Sequence, residues 1–301
     1  MPEAKANDLT LHYDEHGDAD APPMLLIMGV GAQMILWPME LVEALVERGF
    51  RVIRFDNRDI GLSQKLDDAK VPSIPLAMIM ARFGFTPRTP YSLEDMADDA
   101  AGLLDALGID KAHIVGASMG GMIVQHFGAK HSDRALSLTS IMSTTGHRKL
   151  EPADKAALGA LIKRPKDTEI ETIREHGLML NRAIGSPAYP PDPERAKDRA
   201  EETFKRSFYP QGIQRQMAAI IADGDRREVC KRISVPTLVL HGEGDPLVKL
   251  EGGKDTAAHI PGAKLHTIPG WGHDLPLELV DEIADAIAGH ANEATAQTAS
   301  A

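Results

Sequence analysis

The chain has 301 residues, of which 43% are hydrophobic and 26% are charged, and its formal net charge at pH 7 is -11. That length suits one large domain, or a domain that carries an insertion, with a sizeable buried core. The negative charge disfavours a phosphate backbone as partner, and no run of Lys or Arg offsets it locally, so we expect no nucleic-acid binding.

Cysteine content and hydropathy restrict the possible metal sites and the location. Cys230 is the only cysteine, which excludes an internal disulfide framework and a thiolate metal cluster and suits a reducing compartment. The opening residues, MPEAKANDLTLHYDEHG, contain no apolar core of a signal peptide, and no stretch reaches the roughly 18 apolar residues of a membrane span. We therefore expect a cytoplasmic protein with no bound metal and no membrane partner.

Short aliphatic runs alternate with longer helical patterns, which is typical of a mostly parallel sheet with helices on both faces. After a predicted edge strand at 9–13, six further strands are predicted at 24–28, 51–55, 112–115, 136–142, 237–240 and 264–268. Ser92, followed three residues later by Asp95, predicts a capping box at the start of a helix that Gly108 ends. The predicted fold class is α/β.

Two segments interrupt this alternation, and we interpret both as additions to the sheet scaffold. Residues 144–229, rich in charge and proline, predict a helical cap inserted between the two parts of the core, 1–143 and 230–291. Residues 64–91 form a connection far longer than the usual length of roughly 4 to 6 residues. Residues 292–301, NEATAQTASA, have little to bury and predict a disordered tail.

The long connection at 64–91 contains four large apolar residues among prolines: Ile79, Met80, Phe83 and Phe85. One interpretation is a second lid element beside the cap, which narrows the entrance and favours an apolar acyl or alcohol group. The other is that these side chains pack in the core or at the contact of a homodimer. Their spacing alone does not decide between the two.

The sharpest motif is GASMGG at 116–121, which follows a predicted strand and precedes a helical pattern at 122–126. A serine on a tight turn from strand to helix has its hydroxyl exposed above the sheet, and only small neighbours fit beside so strained a backbone. The motif therefore predicts Ser118 as a nucleophile. The alternative is a glycine-rich turn whose serine only caps the helix.

A serine hydroxyl needs a base to remove its proton, so a histidine oriented by a carboxylate should occur elsewhere in the chain. The strand at 237–240 continues into HGEGDP, which contains Asp245, and the strand at 264–268 continues into PGWGH, which ends at His273. Because the carboxyl ends of parallel strands share one edge, we expect both side chains beside Ser118. Taken singly, Asp245 is also a common turn former, and His273 is one of 12 histidines.

Two neighbouring residues are assigned structural roles. Asp274 adjoins His273 in sequence and should point away from its ring. His241 precedes the Asp245 loop and should pack or hydrogen-bond locally.

Two backbone N–H groups are needed to bind the oxyanion that forms when a serine attacks an ester. One is expected from Met119, the residue after the nucleophile. The other is expected in the loop MGVGAQ at 28–33, where glycines allow close approach of the substrate, and Val30 is the predicted donor.

The same loop imitates half of a dinucleotide-binding fingerprint, since Gly29 and Gly31 follow a strand and Asp56 ends the next one. Met34, however, occupies the position of the third glycine, and Trp37 with the following proline delays the helix. No helix N-terminus is then available to hold a pyrophosphate, so we expect no cofactor.

With these motifs in view, the chain resembles the α/β-hydrolase superfamily, and more closely the aclacinomycin methylesterase-like esterases. The likeness rests on LLIMGVGAQMILWP, FDNRDIGLS, GASMGGMIVQ, RQMAAIIADGD, PTLVLHGEGDPLV and IPGWGHDLP. Asp59 departs from the pattern, because that superfamily usually has glycine after the arginine of the second motif. The resemblance implies the α/β-hydrolase fold with a helical cap, and ester hydrolysis through an acyl-enzyme intermediate. It assigns catalysis to Ser118, Asp245 and His273 and the oxyanion hole to Val30 and Met119.

The predicted function is thus cleavage of a small, apolar carboxylic ester by a serine esterase without a cofactor. A lactonase, a carbon-carbon bond hydrolase or an acyltransferase would use the same triad, and the spacing of the motifs does not separate them. A protein of another class, a catalytically silent ligand-binding protein on this scaffold, is also open.

Overall fold

Eight strands form one sheet in the computed structural model of the chain, which describes residues 2–299. In chain order the strands are β1 (Glu3–Ala6), β2 (Leu9–His16), β3 (Pro23–Ile27), β4 (Arg51–Phe55), β5 (Ala112–Ala117), β6 (Ala135–Ile141), β7 (Thr237–Gly242) and β8 (Lys264–Ile268). Their order across the sheet is β1-β2-β4-β3-β5-β6-β7-β8. The first two strands pair antiparallel and the other six run parallel, which confirms the predicted fold class.

The central strands are buried on both faces, as a parallel sheet covered by helices requires. Along β3, Leu25 and Ile27 belong to one apolar core, whereas Met24 and Leu26 belong to the core on the opposite face. Successive side chains of a strand point to opposite faces, so an unbroken apolar run supplies both cores at once.

The described residues contain eleven α-helices, some of which cover the two faces of the sheet. They are α1 (Met39–Glu47), α2 (Ile74–Arg82), α3 (Leu93–Ala106), α4 (Met119–Lys130), α5 (Lys155–Ile162), α6 (Ile170–Ile184), α7 (Pro193–Arg206), α8 (Pro210–Asp223), α9 (Arg227–Cys230), α10 (Leu250–His259) and α11 (Val280–Ala299). The predicted capping box is present at the start of α3, where Ser92 and Asp95 exchange hydrogen bonds. Within residues 2–299, none of the helices combines the length and hydropathy that crossing a lipid bilayer requires.

Two of the elements that the sequence prediction did not include have local explanations. The strand β1 has the sequence EAKA, which is short and half polar, and it pairs only with β2. The helix α7 begins at Pro193, after a run of prolines that indicates irregular chain. Proline is favoured at the first helical position, because its missing N–H is unpaired there in any helix.

The inserted segment, residues 144–229, holds α5 to α8 and the start of α9, and the chain returns to the sheet at β7. Its chain contacts three loops of the core. Ile213 lies against Gly31 after β3, Gly212 lies against Asp59 after β4, and the Ile184 carbonyl accepts from the His273 N–H after β8. These loops all lie at the carboxyl edge of the parallel strands.

The connection at 64–91 contains the helix α2, of which only Ala77 is buried. Ile79, Phe83 and Phe85 are 56%, 75% and 66% exposed. The interpretation of these residues as core side chains is therefore wrong for this chain. The lid and dimer interpretations are unaffected by this exposure.

The structure corrects the predicted disordered tail, because α11 continues from Val280 to Ala299. Alanine favours helix, and the buried stripe of this helix extends through Ile283, Ile287, Ala291 and Ala294. Composition indicated disorder at 292–301 because the small buried residues of this stripe contribute little hydropathy. Residues 300 and 301 of that prediction lie outside the described residues.

Candidate active site

Ser118 lies between β5 and α4 in a backbone conformation that non-glycine residues rarely adopt, with φ 57° and ψ -117°. Glycines permit the turn on both sides. A Cβ at Gly116 would lie 2.2 Å from the Gly120 carbonyl oxygen, and a Cβ at Gly120 would lie 2.0 Å from the Ile27 carbonyl oxygen. Strain of this kind costs about 1–3 kcal/mol, and surrounding structure must hold it. The Ser118 N–H, which donates to the Ile141 carbonyl of β6 at 2.9 Å, is part of that support.

The structure brings together the three side chains predicted from separate strand ends. His273 Nε2 lies 2.9 Å from Ser118 Oγ, and His273 Nδ1 lies 2.7 Å from Asp245 Oδ2. Asp245 and His273 are only 2% and 8% exposed. With the Nδ1 proton donated to Asp245, Nε2 carries a lone pair that can accept the serine proton.

The Asp245 carboxylate is fixed by its own loop. Its Oδ1 accepts from the N–H groups of Leu247 and Val248, both at 2.8 Å, so only Oδ2 is directed at the imidazole. On the other side, the His273 N–H donates to Ile184 of the inserted segment at 2.8 Å. The acid and the base are thus positioned by backbone contacts on both sides.

The two neighbours that were assigned structural roles hydrogen-bond away from Ser118. The Asp274 Oδ1 accepts from Ser186 Oγ at 2.5 Å, and burial raises the pKa of this carboxyl. The His241 Nε2 lies 2.8 Å from the Val248 carbonyl oxygen, and burial lowers the pKa of its imidazole. His241 is therefore neutral near pH 7 and donates to the backbone beside Asp245.

The two predicted oxyanion donors border Ser118. The loop after β3 packs against the serine, because a Cβ at Gly29 would lie 3.1 Å from Ser118 Cβ. The N–H groups of Gly31 and Ala32 already donate, to Gln216 Oε1 and to the Gly29 carbonyl. Met119 is the first residue of α4, where a backbone N–H has no acceptor within its helix. Val30 lies between Gly29 and Gly31 in this turn, and its N–H stays the predicted second donor.

Gln216 is a site residue that sequence analysis did not identify. Its buried side chain accepts from Gly31 N at 2.9 Å and donates to the Arg58 carbonyl at 3.0 Å, so it holds two core loops together. The residue lies in the RQMAAIIADGD motif, which supported the resemblance but carried no chemistry of its own. Its contact with Gly31, from α8 to the loop after β3, is visible only once the chain is folded.

Asp59, the departure from the superfamily pattern, adopts φ 70° and is fully buried. Its carboxylate forms a two-pronged ion pair with Arg215 of α8, at 2.8 Å to Nε and 2.9 Å to Nη2. The hydrogen bond to Asp59 raises the pKa of the Arg215 guanidinium. Where the superfamily usually has glycine, Asp59 thus adopts a conformation typical of glycine, and its ion pair with Arg215 holds the inserted segment to the core.

The carboxylate of Asp56, which a dinucleotide site would direct at a ribose, here contacts other residues of the protein. Its carboxylate accepts from the N–H groups of Met34 and Leu62, both at 2.8 Å, and pairs with Arg206 Nη1 at 2.7 Å. Of the glycines in the β3 loop, Gly29 packs against Ser118 and Gly31 against Ile213.

Comparison with known proteins shows that the chain is similar to hydrolases. Residues 22–278 match the family described as "alpha/beta hydrolase fold". Rhodomycin D methylesterase from Streptomyces peucetius is 27% identical, over 96% of this chain and 97% of the esterase. A putative carbamate hydrolase from Caulobacter sp. (strain K31) is also 27% identical, over 87% of this chain and 88% of that protein.

A solved structure shows the same fold. The meta-cleavage product hydrolase from Pseudomonas fluorescens IP01 superposes with a TM-score of 0.74, covering 98% of each chain at 21% identity. At that identity the likeness concerns the fold alone.

Proposed function

Because the chain belongs to the α/β-hydrolase fold family, we propose that it is a serine esterase that cleaves a small, apolar carboxylic ester through an acyl-enzyme intermediate. The observation that carries the proposal is the position of His273, which lies 2.9 Å from Ser118 Oγ and 2.7 Å from Asp245 Oδ2. This hydrogen-bonded series is the arrangement that turns a serine hydroxyl into a nucleophile.

In the first half of the reaction, Ser118 Oγ attacks the ester carbonyl carbon while His273 Nε2 takes the hydroxyl proton. Asp245 stabilises the resulting imidazolium through the Nδ1 proton. The carbonyl oxygen becomes an oxyanion between the N–H groups of Met119 and Val30, and such a donor contributes about 3–4 kcal/mol to the transition state. The tetrahedral intermediate then collapses, the bond to the alcohol oxygen breaks, and His273 donates its proton to the leaving alcohol.

In the second half, water replaces the alcohol. His273 removes a proton from the water as it attacks the acyl carbon, and the same two N–H groups bind the second oxyanion. Collapse of this intermediate releases the carboxylic acid and returns the proton to Ser118 Oγ. The steps need no metal and no cofactor.

The inserted segment acts in this proposal as a cap over the substrate. Its Ile213 lies against Gly31, and its Pro187 lies against Gly244 in the Asp245 loop. In this proposal these side chains and Val30 form an apolar wall of the entrance to Ser118. The methylesterase activity named for the Streptomyces peucetius relative favours a small alcohol as leaving group.

A fluorophosphonate probe tests the proposal, because it phosphonylates only serines that a neighbouring base activates. We expect the wild type to be labelled at Ser118, as located by peptide mass spectrometry, and the Ser118→Ala and His273→Ala variants to remain unlabelled. A wild type that stays unlabelled would contradict the proposal and favour a ligand-binding protein on this scaffold.

A further inference from the structure

The helix α2 and the turn after it expose an unusual amount of apolar surface. Leu76, Met78 and Ile79 are 54–56% exposed, and Phe83 and Phe85 are 75% and 66% exposed. Together these five side chains form what we call the α2 surface. Clusters of exposed large apolar residues on a folded protein mark contact sites more often than isolated ones do.

The charge of this region is opposite to that of the whole chain. Residues 69–92 contain Lys70, Arg82 and Arg88 and no Asp or Glu, in a chain whose net charge is -11. All three cations are exposed, and within residues 2–299 none of them forms an ion pair. Many other surface cations of this protein are neutralised, as Arg174 is by Glu194 and Asp198.

Two further cations lie beside α2. Arg148, in the loop after β6, donates to the Ala81 carbonyl at the end of the helix, and Lys149 follows it, exposed. The carboxylates nearest in sequence lie outside 69–92, and one of them, Asp67, accepts from Tyr209 OH at 2.7 Å. The α2 surface is therefore apolar with a cationic margin.

We propose that the α2 surface docks the protein onto an anionic lipid surface. Large apolar side chains that insert at the boundary of headgroups and acyl chains, flanked by Lys and Arg, are the chemistry of peripheral membrane binding. The sequence predicted no membrane partner because no stretch is long and apolar enough to span a bilayer. Docking of this kind needs no spanning helix, so that observation does not test it.

A second copy of the chain fits the same surface less well. A contact between two identical copies is two-fold symmetric, so both copies would contribute the same residues to it. Both faces would then bring Arg82 and Arg88 to the contact, and residues 69–92 supply no carboxylate to pair with them. An anionic lipid surface complements both the apolar centre and the charge.

Docking at this place would bring lipid close to the entrance of the proposed active site. The helix α2 packs against α8, and α8 contributes Ile213 and Gln216 to the loop around Gly31. An ester dissolved in the lipid would then reach Ser118 without crossing bulk water, a consequence that rests on the proposed function. The docking itself does not.

Vesicle co-sedimentation of the full chain tests the docking. We expect the wild type to bind vesicles of phosphatidylglycerol and phosphatidylcholine in equal parts, and to bind pure phosphatidylcholine at least tenfold more weakly. Each cation near an anionic surface contributes about a fivefold factor, so Arg82→Gln with Arg88→Gln should lower the partition coefficient about 25-fold. Phe83→Ser with Phe85→Ser should lower it at least tenfold.

Matched variants elsewhere on the surface serve as controls. Lys111→Gln with Lys231→Gln removes the same charge, and Leu277→Ser removes an exposed apolar side chain, and both should bind as the wild type does. All variants should hydrolyse a water-soluble ester at the wild-type rate, so loss of docking is distinguishable from loss of catalysis. The proposal is overturned if the wild type ignores anionic vesicles, or if the control variants lose as much binding as the α2 variants. It is also overturned if Phe83→Ser with Phe85→Ser dissociates a dimer in sedimentation velocity while vesicle binding is unchanged.

Discussion

Gln216 and Gly31 are 185 positions apart in the sequence, and the side-chain oxygen of Gln216 accepts the Gly31 N–H at 2.9 Å. One residue belongs to the inserted segment and the other to the loop that carries the Val30 N–H. The inserted segment therefore restrains the peptide bond that follows the proposed oxyanion donor.

Gln216→Met keeps the volume of the side chain and removes both of its hydrogen bonds. Because the Val30 turn loses its restraint, we expect kcat for a p-nitrophenyl ester to fall about 10- to 100-fold, with KM changed less than threefold. The unpaired Gly31 N–H should also lower the free energy of unfolding by about 1–3 kcal/mol. Steady-state kinetics and urea denaturation measure the two effects.

The control for this variant is Gln211→Met, which changes an exposed glutamine on the same helix. It should leave both quantities unchanged. Equal kcat values for the two variants would show that Gln216 does not position the oxyanion donor.

The buried ion pair of Asp59 and Arg215 makes a prediction about stability. Arg215→Met leaves the Asp59 carboxylate buried without its cation, which should lower the free energy of unfolding by about 3–5 kcal/mol. Adding Asp59→Gly removes the stranded charge and suits the local φ of 70°, so the double variant should be more stable than Arg215→Met alone. Urea denaturation of the three proteins measures the difference, and a double variant less stable than the single one would refute this account.

The role of a residue was predictable from the sequence where its partners are neighbours in the chain or where the geometry of a parallel sheet brings them together. Ser118 was predictable because its glycines are neighbours in the chain, and Asp245 and His273 because parallel strands end at one edge. Gln216, Arg215 and Arg206 act on residues about 150 to 185 positions away, and the helical period indicates only that they face inward. The helix at 292–299 was missed because it is held by small alanines that hydropathy scarcely registers.

The buried His113 predicts a dependence of stability on pH. Burial, with nearby His290 adding to it, lowers the pKa of His113 from 6.5 to about 4. Between these values the unfolded chain binds a proton that the folded chain does not, so stability is full above pH 6.5 and falls as the pH drops towards 4, by about 3 kcal/mol in all. The residue is 1% exposed, and its Nδ1 lies 2.8 Å from Ser137 Oγ.

His113→Gln removes the titrating group and keeps hydrogen-bonding capacity at this position. The substitution also changes the free energy of unfolding at pH 7, but the test concerns only its dependence on pH. Between pH 4.5 and 6.5 the slope of the free energy of unfolding should be smaller than in the wild type by about 1.4 kcal/mol per pH unit. Urea denaturation at several pH values measures both slopes. Parallel slopes for the two proteins would mean that His113 does not titrate in this window.

Cys230 is expected to be chemically inert in the folded protein. It is fully buried, and burial raises the pKa of its thiol to about 12, so almost no thiolate is present at pH 8. Iodoacetamide should modify it slowly in the native state and rapidly in urea, and brief native treatment should leave ester hydrolysis unchanged. Rapid alkylation of the native protein with loss of activity would contradict this prediction, because it would show that the thiol is reactive in the folded state.

The most direct test of the account is the hydrolysis of p-nitrophenyl acetate by the wild type and by Ser118→Ala, with circular dichroism to verify that both are folded. Without Ser118 Oγ no acyl-enzyme forms, so kcat/KM should fall by at least about 10⁴-fold while the fold is retained. A folded Ser118→Ala variant within tenfold of the wild type would contradict the assignment of Ser118 as the nucleophile.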